Sequence, residues 1–109
     1  MKIKHGASIK GIHAEMAIAC LVCSKTLEEF NKTRLTLTEG TGGVHMKGSF
    51  HGKGLAIDLR DWALNDSQLK ELVRNLNLDL GNILVDEKWE GEFDVVLEGN
   101  HIHVEFDIK

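Results

Sequence analysis

Two short stretches of this chain concentrate side chains able to ligate a metal or carry a proton. His101-Ile102-His103 is an H-x-H triplet, and because successive side chains on a strand alternate faces, both imidazoles aim into one space. His51-Gly52-Lys53-Gly54-Leu55-Ala56-Ile57-Asp58 sets a histidine and a carboxylate with six residues between them, with Gly52 and Gly54 letting the backbone fold His51 back toward Asp58. Glu98, by the same period-two count on the preceding strand, shares the face of the two histidines. A histidine, an aspartate and a second histidine supply two nitrogens and one oxygen. Three such protein ligands leave the fourth tetrahedral position of zinc open for water, the pattern of a catalytic site rather than a structural one. Zinc lowers the pKa of its water to about 7, and a neighbouring carboxylate or imidazole then takes the proton as a polarised carbonyl is attacked. Glu98 and His101 are the candidates for that role.

The elements that must position these groups follow from hydrophobic periodicity. Met16, Cys20, Cys23, Leu27 and Phe30 recur at alternating spacings of four and three, which predicts a helix within 12–30 with one buried face. Arg34-Leu35-Thr36-Leu37-Thr38 alternates like a strand with Leu35 and Leu37 inward, and a glycine-rich loop occupies 39–54. From 55 to 60, Leu55, Ile57 and Leu59 face the core while Ala56, Asp58 and Arg60 face away. Asn65 with Gln68 resembles a capping box ahead of a second helix carrying Leu69, Leu72, Val73 and Leu76 and ending near Leu78. Residues 80–91 lack a clean period and read as loop with a short strand at 83–85. Phe93, Val95 and Leu97, a turn at Gly99-Asn100, then Ile102, Val104 and Phe106 predict a C-terminal β-hairpin. The expected fold class is α+β, a small antiparallel sheet with two helices packed on it.

Composition narrows the class further. A chain of 109 residues is one domain in length, and 42% apolar with 28% charged residues is ordinary for a folded one. The formal charge of −4 lacks the basic footprint that nucleic-acid binding requires, so no nucleic-acid partner is expected. No run approaches the roughly 18 apolar residues of a membrane span, so no membrane insertion is expected, and the N-terminus lacks the hydrophobic centre of a signal peptide. Synthesis in the cytoplasm without a signal peptide follows as an expectation. Cys20-Leu21-Val22-Cys23 has no second pair to complete a zinc site, and both sulfurs fall on the buried helix face, so two inert buried thiols are expected. His5 and His13 lie outside any cluster. Trp62 and Trp89 serve packing or line a groove.

At the ligand stretches the sequence resembles a known family. Ser49-Phe50-His51-Gly52-Lys53-Gly54-Leu55-Ala56-Ile57-Asp58 matches the S-x-H-x-x-G-x-A-x-D signature of the M15 zinc D-Ala-D-Ala carboxypeptidases and related phage endolysin peptidases, and His101-Ile102-His103 matches their closing H-x-H. The Hedgehog signalling domain, which shares that fold and zinc pattern, is similar too, down to a histidine six residues before the first ligand, as His45 is before His51. The resemblance spans about residues 34–107. It implies zinc on His51, Asp58 and His103, with His101 a non-ligand that polarises or shuttles a proton and His45 a further proton or oxyanion group.

The resemblance also implies a substrate, the amide bonds of peptidoglycan stem peptides, cut either as D-Ala-D-Ala carboxypeptidase or as L-Ala-D-Glu endopeptidase. Such members act on the cell wall through phage lysis or virion delivery; a monomer is the expectation for this chain. Two departures are visible. Where many members carry S-G-Y-R, whose arginine grips the substrate carboxylate, this chain has Glu39-Gly40-Thr41-Gly42, which leaves Lys47, Lys53 or Arg60 to supply the positive charge, with Ser49 beside them. Where several members place an acidic residue three before the last ligand, this chain has Asn100, so the base is Glu98 or His101. A Hedgehog-like, zinc-stabilised binding or virion structural domain with little or no catalysis is the alternative.

Overall fold

A computed structural model describes residues 1–32, 35–42, 49–60, 64–99 and 101–107. Within them the chain forms an α+β domain in which two helices pack on a mostly antiparallel sheet. The elements run β1 (Lys2–Ile3), α1 (Ala14–Asn31), β2 (Thr36–Glu39), β3 (Ala56–Arg60), α2 (Asp66–Asp79), β4 (Ile83–Val85), β5 (Lys88–Glu90), β6 (Phe93–Glu98) and β7 (His101–Phe106). Five strands make the main sheet in the order β1-β2-β3-β7-β6, with only the β1–β2 pair parallel. None of the helices is long and apolar enough to cross a membrane, among the described residues.

Helix α1 has neither Gly nor Pro in its interior, and it stops where Lys32 turns left-handed at φ 57° with its N–H on the Glu28 carbonyl. Met16, Cys20, Cys23 and Leu27 are all buried, the face that periodicity selects. Burial pushes the Cys20 thiol up to about 11 and the Cys23 thiol further, which leaves both protonated and unreactive. Helix α2 opens on a reciprocal cap. The Gln68 N–H donates to Asn65 Oδ1 at 2.8 Å, and the Asn65 N–H donates to Gln68 Oε1 at 3.0 Å.

One core lies between the helices and the sheet. Leu35, Leu37, Ile57, Leu59, Ile102, Val104 and Phe106 from the strands meet Met16, Cys23, Leu27, Leu72 and Leu76 from the helices. Phe93 and Val95 of β6 join this core, whereas Leu97 remains 41% exposed near the outer end of the edge strand. Buried Asn82 ties the end of α2 to β6, its Nδ2 donating to Asn77 Oδ1 at 2.8 Å and to the Phe93 carbonyl at 2.7 Å.

Three features depart from the sequence reading. Residues 83–90 are a complete hairpin, because Asp86 and Glu87 take the two left-handed positions of a tight turn at φ 50° and 65°. Lys2–Ile3 adds a strand beside β2. The second strand is shifted toward its C-terminal end, running Thr36–Glu39 rather than 34–38, with an irregular register between Leu37 and Glu39.

Candidate metal centre

Strands β3, β7 and β6 arrange the polar face in rows. His103 on β7 sits directly between Asp58 on β3 and Val96 on β6, and His101 sits between Arg60 and Glu98. Glu105 completes a third row between Ala56 and Asp94. Alternation along each strand keeps all of these on the side opposite the core. The irregularity in β2 brings Glu39 opposite Asp58, in the way that bulges re-aim side chains beside functional sites.

His51 arrives from the turn that precedes β3. That turn is closed by the Leu55 N–H on the Phe50 carbonyl at 2.8 Å, the Gly54 N–H on the His51 carbonyl at 3.0 Å and the Lys53 N–H on the Ser49 carbonyl at 3.2 Å. Gly54 is required twice over. Its φ of +75° disfavours a side chain, and a Cβ there would lie 2.6 Å from the Gly11 carbonyl oxygen. The His13 N–H donates to the Gly54 carbonyl at 2.9 Å, and the Thr41 N–H donates to the Ser8 carbonyl at 2.8 Å, so the segment before α1 braces the turn and the end of β2.

The result is a cluster of donors around one carboxylate. Asp58 Oδ1 lies 2.8 Å from His103 Nδ1 and 3.3 Å from His51 Nε2, and Asp58 Oδ2 lies 3.7 Å from His101 Nε2. Glu98 Oε1 closes the outer side at 3.3 Å from His101 Nε2 and 3.7 Å from His103 Nδ1. The side chains of Asp58, His51 and His103 are nearly covered, while Glu98 is half exposed. Burial alone would raise the Asp58 carboxyl, but the hydrogen bonds of His103 and His51, with the charge of His51 and His101, hold it well below the usual carboxylate range. The same hydrogen bonds raise His51 and His103 above their ordinary value, against the opposing effect of burial.

The donor set fits a metal. One atom each from His51, Asp58 and His103 lies within 4.8 Å of the others, and donors bound at about 2.0–2.2 Å in a tetrahedron stand roughly 3.3–3.6 Å apart. A second group, Asp58, Glu98 and His101, meets the same criterion on the exposed side. Two imidazoles and one carboxylate suit zinc, and they equally suit ferrous iron, so the donors alone define a metal-capable site without choosing the ion.

Of the residues singled out in the sequence, His51, Asp58, His103, His101 and Glu98 come together here. Arg60 lines an adjacent cavity of about 340 Å³ with Lys4, Thr38, Glu39, Asp58 and His101. Ser49 lies at the foot of the turn, and Lys53 is exposed with its ammonium 5.9 Å from the Phe50 ring centre. His45, Lys47, Trp62 and Asn100 fall outside the described residues. His13 stacks on Phe106 and pairs with Glu15, away from the cluster. Sequence reading missed Lys4, Glu39 and Glu105. Only Glu105 carried a local signal, since it continues the alternation of His101 and His103. The chain matches no family model, no curated protein and no solved structure.

Proposed function

We propose that this protein is a zinc-dependent peptidase of the M15 type, on a Hedgehog/DD-peptidase-like fold, that hydrolyses amide bonds in peptidoglycan stem peptides as part of a phage or prophage lysis or virion function. The observation that carries the reading is the convergence of His51 Nε2, Asp58 Oδ1 and His103 Nδ1 beside a cavity lined by His101 and two cationic side chains. The motif resemblance supplies the substrate class.

In this reading His51, Asp58 and His103 hold the ion. Zinc bound there supplies Lewis acidity toward a carbonyl and a water of lowered pKa. Glu98 Oε1, half exposed and 3.3 Å from His101 Nε2, takes a proton on the solvent side and returns it to the leaving amine. His101 holds that carboxylate through its Nε2–H, and once Glu98 has taken its proton the same N–H turns to a developing oxyanion. Arg60 and Lys4, at the rim of the adjoining cavity, draw an anionic group of the peptide toward the site.

Metal analysis combined with digestion of purified peptidoglycan tests this reading. One zinc per chain and newly released peptide ends are expected, both lost in His51→Ala. A protein that holds zinc yet leaves every stem peptide intact would favour the second reading, a zinc-stabilised binding or virion domain. That reading is favoured by Glu39-Gly40-Thr41-Gly42 standing where related peptidases carry the substrate-gripping arginine.

A further inference from the structure

His103 is flanked by carboxylates at both ring nitrogens. Nδ1 faces Asp58 Oδ1 at 2.8 Å, and Nε2 faces Glu105 Oε1 at 3.4 Å. Glu105 is two residues further along β7 on the same face and is about three-quarters covered. It also lies directly opposite Asp94 on β6, so the fold sets two carboxylates side by side on one face.

We propose that Glu105 is the positioning residue of the metal centre. With a metal bound, its carboxylate would accept the Nε2–H of His103, the tautomer that frees Nδ1, hydrogen-bonded to Asp58 Oδ1 in the metal-free site, to act as the ligating nitrogen. An imidazole ligand free to protonate on either nitrogen spends part of its time in the wrong form. A carboxylate behind the ring removes that freedom, orients the ring plane and makes the ligating nitrogen a stronger donor. The ring is further fixed by His51, which meets it edge-on with centres 5.0 Å apart at 69°. Strand β7, paired on both sides, leaves its backbone little room to shift.

This inference rests on the metal-site reading and is tested apart from activity. Zinc dissociation constants of the full chain are measured by competition with a chelator for wild type, Glu105→Ala, Glu105→Gln and a control, Glu90→Gln on the separate β4–β5 hairpin. Glu105→Ala is expected to bind zinc about 10–100-fold more weakly. Glu105→Gln keeps an acceptor oxygen without the charge and should fall between, and the control should match wild type. Metal-free melting of Glu105→Gln should stay within about 4 °C of wild type, which separates positioning from loss of fold. Long-range proton–nitrogen spectra of the zinc-loaded wild type should show His103 protonated at Nε2. Both Glu105 variants binding within about twofold of wild type, or His103 carrying its proton on Nδ1, would overturn the assignment while leaving the site intact. A wild type that binds no zinc would instead remove the metal-site reading itself.

Discussion

His103 Nδ1 and Asp58 Oδ1 stand 2.8 Å apart although 45 residues separate them in the chain, because the two are direct antiparallel partners on β7 and β3. The sheet register, not a loop conformation, therefore fixes the shortest contact of the site. Sites carried on paired strands hold their geometry more tightly than sites carried on loops alone.

Removing that carboxylate should damage both the site and the fold. Asp58→Ala leaves two nearly covered imidazoles without their acceptor, and an orphaned buried polar group costs about 1–3 kcal/mol. Chemical denaturation of the metal-free variant should show a loss of that order, and titration with zinc should show no tight binding. Wild-type stability in this variant would mean that the His–Asp–His cluster is not formed in solution.

The pH dependence of the metal-free protein follows from the directions of the shifts. His51 and His103 are raised above 6.5, so their contribution to stability is complete below that value and is lost as pH rises through the raised values. Asp58 is lowered from 3.8, so its contribution is present above 3.8 and is lost as pH falls through the lowered value. Melting in the presence of a chelator should thus be highest in mildly acidic solution and decline on the alkaline side. Zinc affinity should run the other way and rise with pH, because the ion must displace protons from both imidazoles. A metal-free melting temperature that climbs steadily to alkaline pH would contradict these directions.

Separating proton transfer from metal holding requires the second group of residues. Glu98→Gln and His101→Ala are expected to keep about one zinc per chain and to lower kcat on peptidoglycan fragments by roughly 10²–10⁴ and 10²–10³ respectively. Retention of both zinc and full activity would show that neither group carries a proton or steadies the oxyanion.

Charge in the adjoining cavity should act on binding rather than turnover. Arg60→Ala and Lys4→Ala each remove a cation beside Asp58 and His101, and a hydrogen bond to a charged group is worth about 1.5–3 kcal/mol. An increase in KM of about 10–100-fold with a smaller change in kcat is expected for Arg60→Ala, and a lesser one for exposed Lys4. Equal losses in kcat and kcat/KM would place these residues in the transition state instead.

Gly54→Ala probes the brace between the N-terminal segment and the His51 turn. The left-handed backbone and the 2.6 Å approach to the Gly11 carbonyl leave no room for a methyl group. A stability loss above about 1 kcal/mol and weakened zinc binding are expected together, since the turn must move to accommodate it. Unfolding curves and zinc titration of the same preparation check both.

The candidate site was legible wherever local periodicity carried it. Alternation from Phe93 to Phe106 placed His101, His103 and Glu98 on one face, and the same rule put Asp58 opposite the core. Lys4 and Glu39 escaped for a different reason. Strand β1 is two residues long and meets β2 through a parallel pairing remote in sequence, and the irregular register before Glu39 reverses what simple alternation predicts for it. The β4–β5 hairpin was only half read because Ile83, Leu84 and Val85 are exposed and no buried face imposes a period on them.

Strand β7 enters the sheet between β3 and β6, so its central place couples assembly of the site to completion of the fold. Until β7 docks, Asp58 and His51 have no His103 to meet, and β3 and β6 have no strand between them. Non-local pairing of this kind forms slowly compared with helices and hairpins. Convergence of His51, Asp58 and His103 then waits on the β3–β7 pairing rather than preceding it.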